Sequence, residues 1–191
     1  MDKVFNFDLN DKPLSKSLKR VGIKNFLEAS NYIKQLPYGR NTDRANYTLV
    51  LKEQKGTCST KHAFLKQIAI ENNITELRLI LGIYKMNNSN TKGVGSVLDK
   101  HNLDYIPEAH TYLKVNNTVI DLTNNTVSND SFENSILLEE DIIPDQIGDY
   151  KTSKHKAYLE QWIVKENINF SFKDVWHIRE KCIEALSNKK A

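Results

Sequence analysis

Apolar and polar positions follow two different periods along this chain. In the first third the spacing is helical. Phe26, Ala29, Ile33 and Leu36 recur at three- and four-residue intervals, the stripe of a helix with one buried face, and Pro37 and Gly39 end it. Residues 1–14 read as an arm leading into helix, and a second short helix is expected at about residues 43–53. The segment from Lys61 to Glu71 holds Ala63, Phe64, Leu65, Ile68, Ala69 and Ile70, with Asn72 and Asn73 at its end. Thr57 is a suitable N-cap for this mostly apolar helix, so Cys58 is expected at, or within one residue of, a helix N-terminus.

The pattern then changes to that of strands. Leu77 to Tyr84 is the continuous apolar run of a buried strand, Ala109 to Val115 alternates, and Thr118 to Leu122 follows after Asn116 and Asn117. Two asparagines between alternating runs predict a type I′ hairpin, because asparagine tolerates positive φ. The stretch 85–107, with Gly93 and Gly95, reads as a long polar loop, and 132–150 as an acidic loop. Residues 153–164 and 172–187 read as helices, the second opened by a capping box between Ser171 and Asp174. Its stripe of Val175, Ile178, Cys182 and Leu186 makes Cys182 a small core residue. The whole predicts an α+β fold in a single domain, with its core at about 40–125 and a helical extension over 126–191.

Composition narrows the function classes. With 191 residues, 39% hydrophobic and 27% charged, the chain has the profile of an ordinary soluble protein with a real core. No apolar run approaches the roughly 18–20 residues that span a bilayer. A net charge of +3, from 27 basic and 24 acidic residues, is too small to point to nucleic acid. The opening MDKVFNFDLNDKP predicts no signal peptide, and two cysteines far apart fit a reduced, cytoplasmic chain.

The candidate chemistry centres on Cys58. A cysteine becomes nucleophilic when its thiolate is stabilised, and the N–H groups and macrodipole of a helix N-terminus do that. A base must reach the thiol, and a carboxylate should orient the base. A two-residue turn at Asn116-Asn117 pairs Val115 with Thr118, so Tyr112 lies opposite Asp121 and His110 opposite Thr123. His110 and Asp121 then sit diagonally on one face, with Cα atoms roughly 7–8 Å apart, within side-chain reach. Cys58 attacks a carbonyl, His110 serves as base and then acid, Asp121 fixes the imidazole tautomer, and the Cys58 N–H is an oxyanion donor. Four further residues are candidates for the substrate or oxyanion region. These are Gln54, near the thiol in sequence; His62, one helical turn beyond it and able to serve as base instead; Glu108, a charged rim residue after Pro107; and Arg40, in the loop from Tyr38 to Asn41.

The segments KGTCSTKHAFL and PEAHTYLKVNNTVIDLT resemble the nucleophile and histidine–aspartate strands of the transglutaminase-like superfamily, over about residues 50–123. The resemblance implies a papain-like core, a cysteine-bearing helix packed on an antiparallel sheet. It also implies acyl transfer or hydrolysis at an amide, isopeptide, ester or thioester carbonyl through a thioester acyl-enzyme, with no metal and no cofactor. Thr111 and Tyr112 follow the histidine where many members have tryptophan. The expected partner is a peptide, protein or small amide or ester substrate, with neither nucleic acid nor membrane. The alternative is a transglutaminase-like domain used only for binding or assembly.

Overall fold

The computed structural model describes residues 6–123 and 131–188. Helices α1 (Pro13–Lys19), α2 (Phe26–Gln35), α3 (Leu49–Glu53) and α4 (Cys58–Glu71) precede strand β1 (Leu77–Met86). Helix α5 (Gly95–Asp99) leads to β2 (Ile106–Val115) and β3 (Thr118–Ile120), and β4 (Ile136–Ile142), α6 (Asp149–Lys165) and α7 (Phe172–Asn188) complete an α+β fold. The strands form one antiparallel sheet in the order β3-β2-β1-β4. The described residues form two compact units, one within 6–81, 111–123 and 140–149, the other within 82–110, 131–139 and 150–188.

Helix α4 is the centre of the first unit. Helices α1, α2 and α3 and the 3-10 turn Pro144–Ile147 all pack on it. Ten of its fourteen residues are buried, so it is enclosed around its circumference rather than along one stripe. Asn25 caps α2 by accepting the Glu28 N–H at 2.9 Å, and Phe26, Ala29 and Ile33 are buried as their spacing predicts. The expected helix at 43–53 shortens to Leu49–Glu53. Glu71, at the end of α4, accepts from the Leu14 N–H, the Ser15 N–H and the Ser15 hydroxyl at 3.0–3.1 Å. A carboxylate thus meets the first turn of α1, where the helix field favours it.

The β2–β3 register is Leu113↔Ile120, Lys114↔Val119 and Val115↔Thr118, as a two-residue connection requires. Asn116 takes φ 51° and Asn117 does not take positive φ, so the turn departs from the type I′ geometry expected while keeping its register. Strand β3 ends at Ile120, not Leu122. Asp121 accounts for this, because its Oδ1 accepts the Thr123 N–H at 2.9 Å and the chain turns there.

The second unit has its own core, including Met86, Val94, Leu98, Leu103, Ile106, Leu159, Trp162, Val175, Ile178 and Cys182. Helix α7 opens with the expected Ser171–Asp174 capping box and buries Val175, Ile178 and Cys182. Two loop expectations are corrected. The 85–107 stretch contains α5, whose Leu98 packs with Val94 in the core, behind an asparagine-rich turn that dominates the local sequence. The 132–150 stretch contains β4 between 3-10 turns at Phe132–Ser135 and Pro144–Ile147. Strand β4 lies at the sheet edge, where Glu139, Glu140 and Asp141 are tolerated, and those charges masked its strand pattern.

Gly56 is closely packed just before α4. It bridges to Tyr38, donates to the Pro37 carbonyl at 3.1 Å and accepts the Gly39 N–H at 3.2 Å. A Cβ there would stand 3.0 Å from Lys61 Cγ, 3.0 Å from Thr60 Oγ1 and 3.1 Å from Val50 Cγ2. Gly56→Ala is expected to destabilise the protein by about 1–3 kcal/mol through overpacking. Urea unfolding checks this, and an unchanged midpoint would show that the pocket yields.

Candidate active site

Cys58 is the first residue of α4 and is 8% exposed. A capping box built from two threonines defines the helix start. Thr57 Oγ1 accepts the Thr60 N–H at 3.5 Å, and Thr60 Oγ1 accepts the Thr57 N–H at 3.0 Å. Thr60 in turn donates to Asn41 Oδ1 at 2.8 Å, and the Asn41 amide donates to Glu53 and to the Lys55 carbonyl, each at 3.1 Å. The loop containing Arg40 is therefore anchored through its neighbour Asn41, and Arg40 itself is exposed. The Cys58 sulfur lies 3.8 Å from Ser59 Oγ, which lies 3.3 Å from Thr111 Oγ1. The thiol thus borders a line of hydroxyls. Cys58 and Cys182 are both free thiols.

Two consecutive residues of α4 clasp the turn that carries Asp121. Lys61 is fully buried, and its ammonium donates to the carbonyls of Leu36 at 2.6 Å, Thr123 at 2.8 Å and Lys34 at 3.4 Å. Carbonyls at the end of α2 carry the negative end of that helix, which suits a cation. His62 is also fully buried. Its Nδ1 is 2.8 Å from the Cys58 carbonyl oxygen, and its Nε2 accepts the Leu122 N–H at 2.7 Å. The carbonyl can only accept and the amide can only donate, so His62 is a neutral imidazole protonated on Nδ1. Asp121 Oδ1 lies 3.6 Å from Nε2 and accepts from the Thr123 N–H and hydroxyl. His62, expected at the edge of the site, is fully buried, with both nitrogens bound to main chain.

His110 belongs to the second unit and is half-buried. Its ring meets the rings of Phe132 and Tyr84 edge-on, with centroids 4.8 and 6.1 Å away. Glu108 corrects the expectation of a charged rim residue. It is buried and receives both a 2.7 Å bond from Arg179 Nε and a second from Nη2, while His155 lies 3.9 Å away and bonds the Pro107 carbonyl. Burial is the largest single influence and would raise the Glu108 carboxyl, but the charges of Arg179, His155 and Lys151 and the hydrogen bond from Arg179 together outweigh it, and the group sits at about 2. Burial lowers His155, against the pull of Glu108. Burial and the Glu108 charge raise the Cys182 thiol to about 11. Gln54, in a left-handed C-cap conformation at φ 51°, accepts from the Tyr32 hydroxyl at 2.7 Å and donates to the Leu51 carbonyl at 2.6 Å.

Lys61 and Asn41 are the residues of this region that sequence reasoning missed. Their one signal is position: a lysine inside an otherwise apolar helix and an asparagine next to a conspicuous arginine. Among the described residues no group of three or more His, Cys, Asp or Glu side chains can hold a metal ion, and no helix is long and apolar enough to cross a membrane. No family model, curated protein or solved structure matches the chain.

The Glu108–Arg179 pair gives a signed pH dependence. The folded carboxyl lies at about 2 against an ordinary 4.5, so its stabilisation is fully present above pH 4.5 and is lost as pH falls through about 2. The shift corresponds to about 3 kcal/mol. Glu108→Gln leaves the Arg179 charge buried against an amide and is expected to cost about 3–5 kcal/mol at pH 7. The gap between wild type and variant in thermal unfolding should narrow below pH 4.5. A gap constant from pH 7 to pH 2 would refute the assignment.

Proposed function

We propose that this chain is a transglutaminase-like, cysteine-dependent acyltransferase or hydrolase acting at an amide, isopeptide, ester or thioester carbonyl, with a papain-like core. The Cys58 sulfur attacks the carbonyl carbon, and a thioester forms as the amine, alcohol or thiol leaves with a proton from the His110 imidazolium. Water or an acceptor amine then attacks the thioester, His110 takes the incoming proton, and the thiol is released. Asp121 orients the imidazole, and the Cys58 N–H stabilises the oxyanion. The setting we assign is the cytoplasm, where the thiol stays reduced, and the substrate is a peptide, a protein or a small amide or ester.

One observation carries this reading: α4 presents the thiol at its first residue and, one turn later, holds the main chain beside Asp121. Two others support it. His62 has both nitrogens engaged with main chain, which leaves the role of base to His110. The β2–β3 register, from Val115 opposite Thr118 to Leu113 opposite Ile120, runs the strand that ends just before Asp121 alongside the strand that carries His110.

Thiol alkylation against pH tests the proposal. Iodoacetamide is expected to modify Cys58 with a midpoint below the roughly 8.5 of a free thiol, and His110→Ala should return the midpoint to about 8.5. Cys58→Ala should remove the labelling, since the Cys182 thiol sits at about 11. A rate that stays flat until pH 8 would replace the enzyme with a binding or assembly domain. Intact-mass detection of adducts from a panel of acyl and peptide electrophiles then defines the acyl class.

A further inference from the structure

We infer that His62 is a positioning residue for Asp121, an inference that rests on the acyl-transfer reading above. Its ring joins the carbonyl of the nucleophile to the main chain next to the carboxylate: Nδ1–H donates to Cys58 O at 2.8 Å, and Nε2 accepts the Leu122 N–H at 2.7 Å. The imidazole therefore sets the separation between the first turn of α4 and the 121–123 turn. Nε2 carries no proton, so it offers Asp121 Oδ1 no hydrogen bond across their 3.6 Å separation. The carboxylate is instead directed by its own turn, through Thr123. What His62 fixes is the backbone that bears the carboxylate. Lys61 secures the other end of the same turn at the Thr123 carbonyl. A buried side chain bonded at both ends keeps its geometry, because losing either bond strands a buried polar group.

A histidine that only fills space would behave differently from one whose Nε2 is required, and two substitutions separate the cases. Glutamine places an acceptor oxygen near the Nε2 position, whereas asparagine retains only a donor near Nδ1. His62→Gln, which keeps the acceptor but gives up the bond to Cys58 O, is expected to shift the midpoint for Cys58 alkylation by less than His62→Asn does and to keep the slow exchange of the Leu122 amide. His62→Asn is expected to raise the midpoint by about one unit, a tenfold loss of thiolate below it. It should also speed Leu122 exchange, and Asp121→Asn should shift the midpoint in the same direction. Wild-type profiles in both His62 variants overturn the inference and leave the acyl reading intact. Equal upward shifts in both overturn the acceptor assignment. A wild-type profile flat until pH 8 removes the acyl reading and this role with it. Nitrogen-15 spectra of the wild-type imidazole test the tautomer without any variant, and a proton on Nε2 overturns the inference.

Discussion

A helix enclosed on all sides must find a partner for every polar group it carries, and in α4 that requirement shapes the site. Its first turns contain Cys58, Ser59, Thr60, Lys61 and His62, all buried. Burying an amide or hydroxyl without a hydrogen bond costs on the order of 1–3 kcal/mol, and a bare ammonium costs far more. Each side chain is therefore bonded outward: Thr60 to Asn41, Lys61 to three carbonyls, His62 to Leu122. The loops that receive these bonds are the ones before the cysteine and after β3. Satisfying the helix and building the site are the same set of contacts.

The second unit meets a similar demand with a different device. Glu108 enters from β2 and is met by Arg179 from α7, two charges that share bidentate geometry inside an apolar cluster. Arg179 also lies over the Trp176 ring at 5.4 Å and reaches Glu180, so its guanidinium is engaged on its face as well as at its edge. Replacing one member alone strands the other as an uncompensated buried charge.

Much of this was legible in the sequence because it depends on short-range rules. The Phe26–Ile33 stripe, the Thr57 cap, the two-residue turn and its register, and the Ser171–Asp174 box each follow from residues within a few positions of one another. What escaped depends on partners distant along the chain. Glu108 looks like a rim charge until Arg179, 71 positions away, is packed against it. Lys61 looks like a surface lysine until α2 and the 121–123 turn close over it. Strand β4 was hidden because an edge strand tolerates charges that local patterning assigns to loops. For His62, sequence spacing showed that it lies on the face of Cys58, but not that both nitrogens would be spent on main chain, because backbone donors leave no mark in residue identity.

The two cysteines sit in contrasting environments. Cys182 sits in the apolar stripe of α7, where burial and the Glu108 carboxylate both oppose ionisation and hold the thiol near 11. Cys58 sits at the opposite kind of place, the positive end of a fourteen-residue helix bordered by the hydroxyls of Ser59 and Thr111. Hydroxyl hydrogens can turn toward a developing negative charge and away from it again, which methyl groups cannot do. A cysteine serving only as a small core residue gains nothing from such neighbours, since apolar contacts would pack as densely without polar groups to satisfy. The hydroxyls beside Cys58 could answer a charge on the sulfur, which is the condition that the proposed acyl transfer would impose.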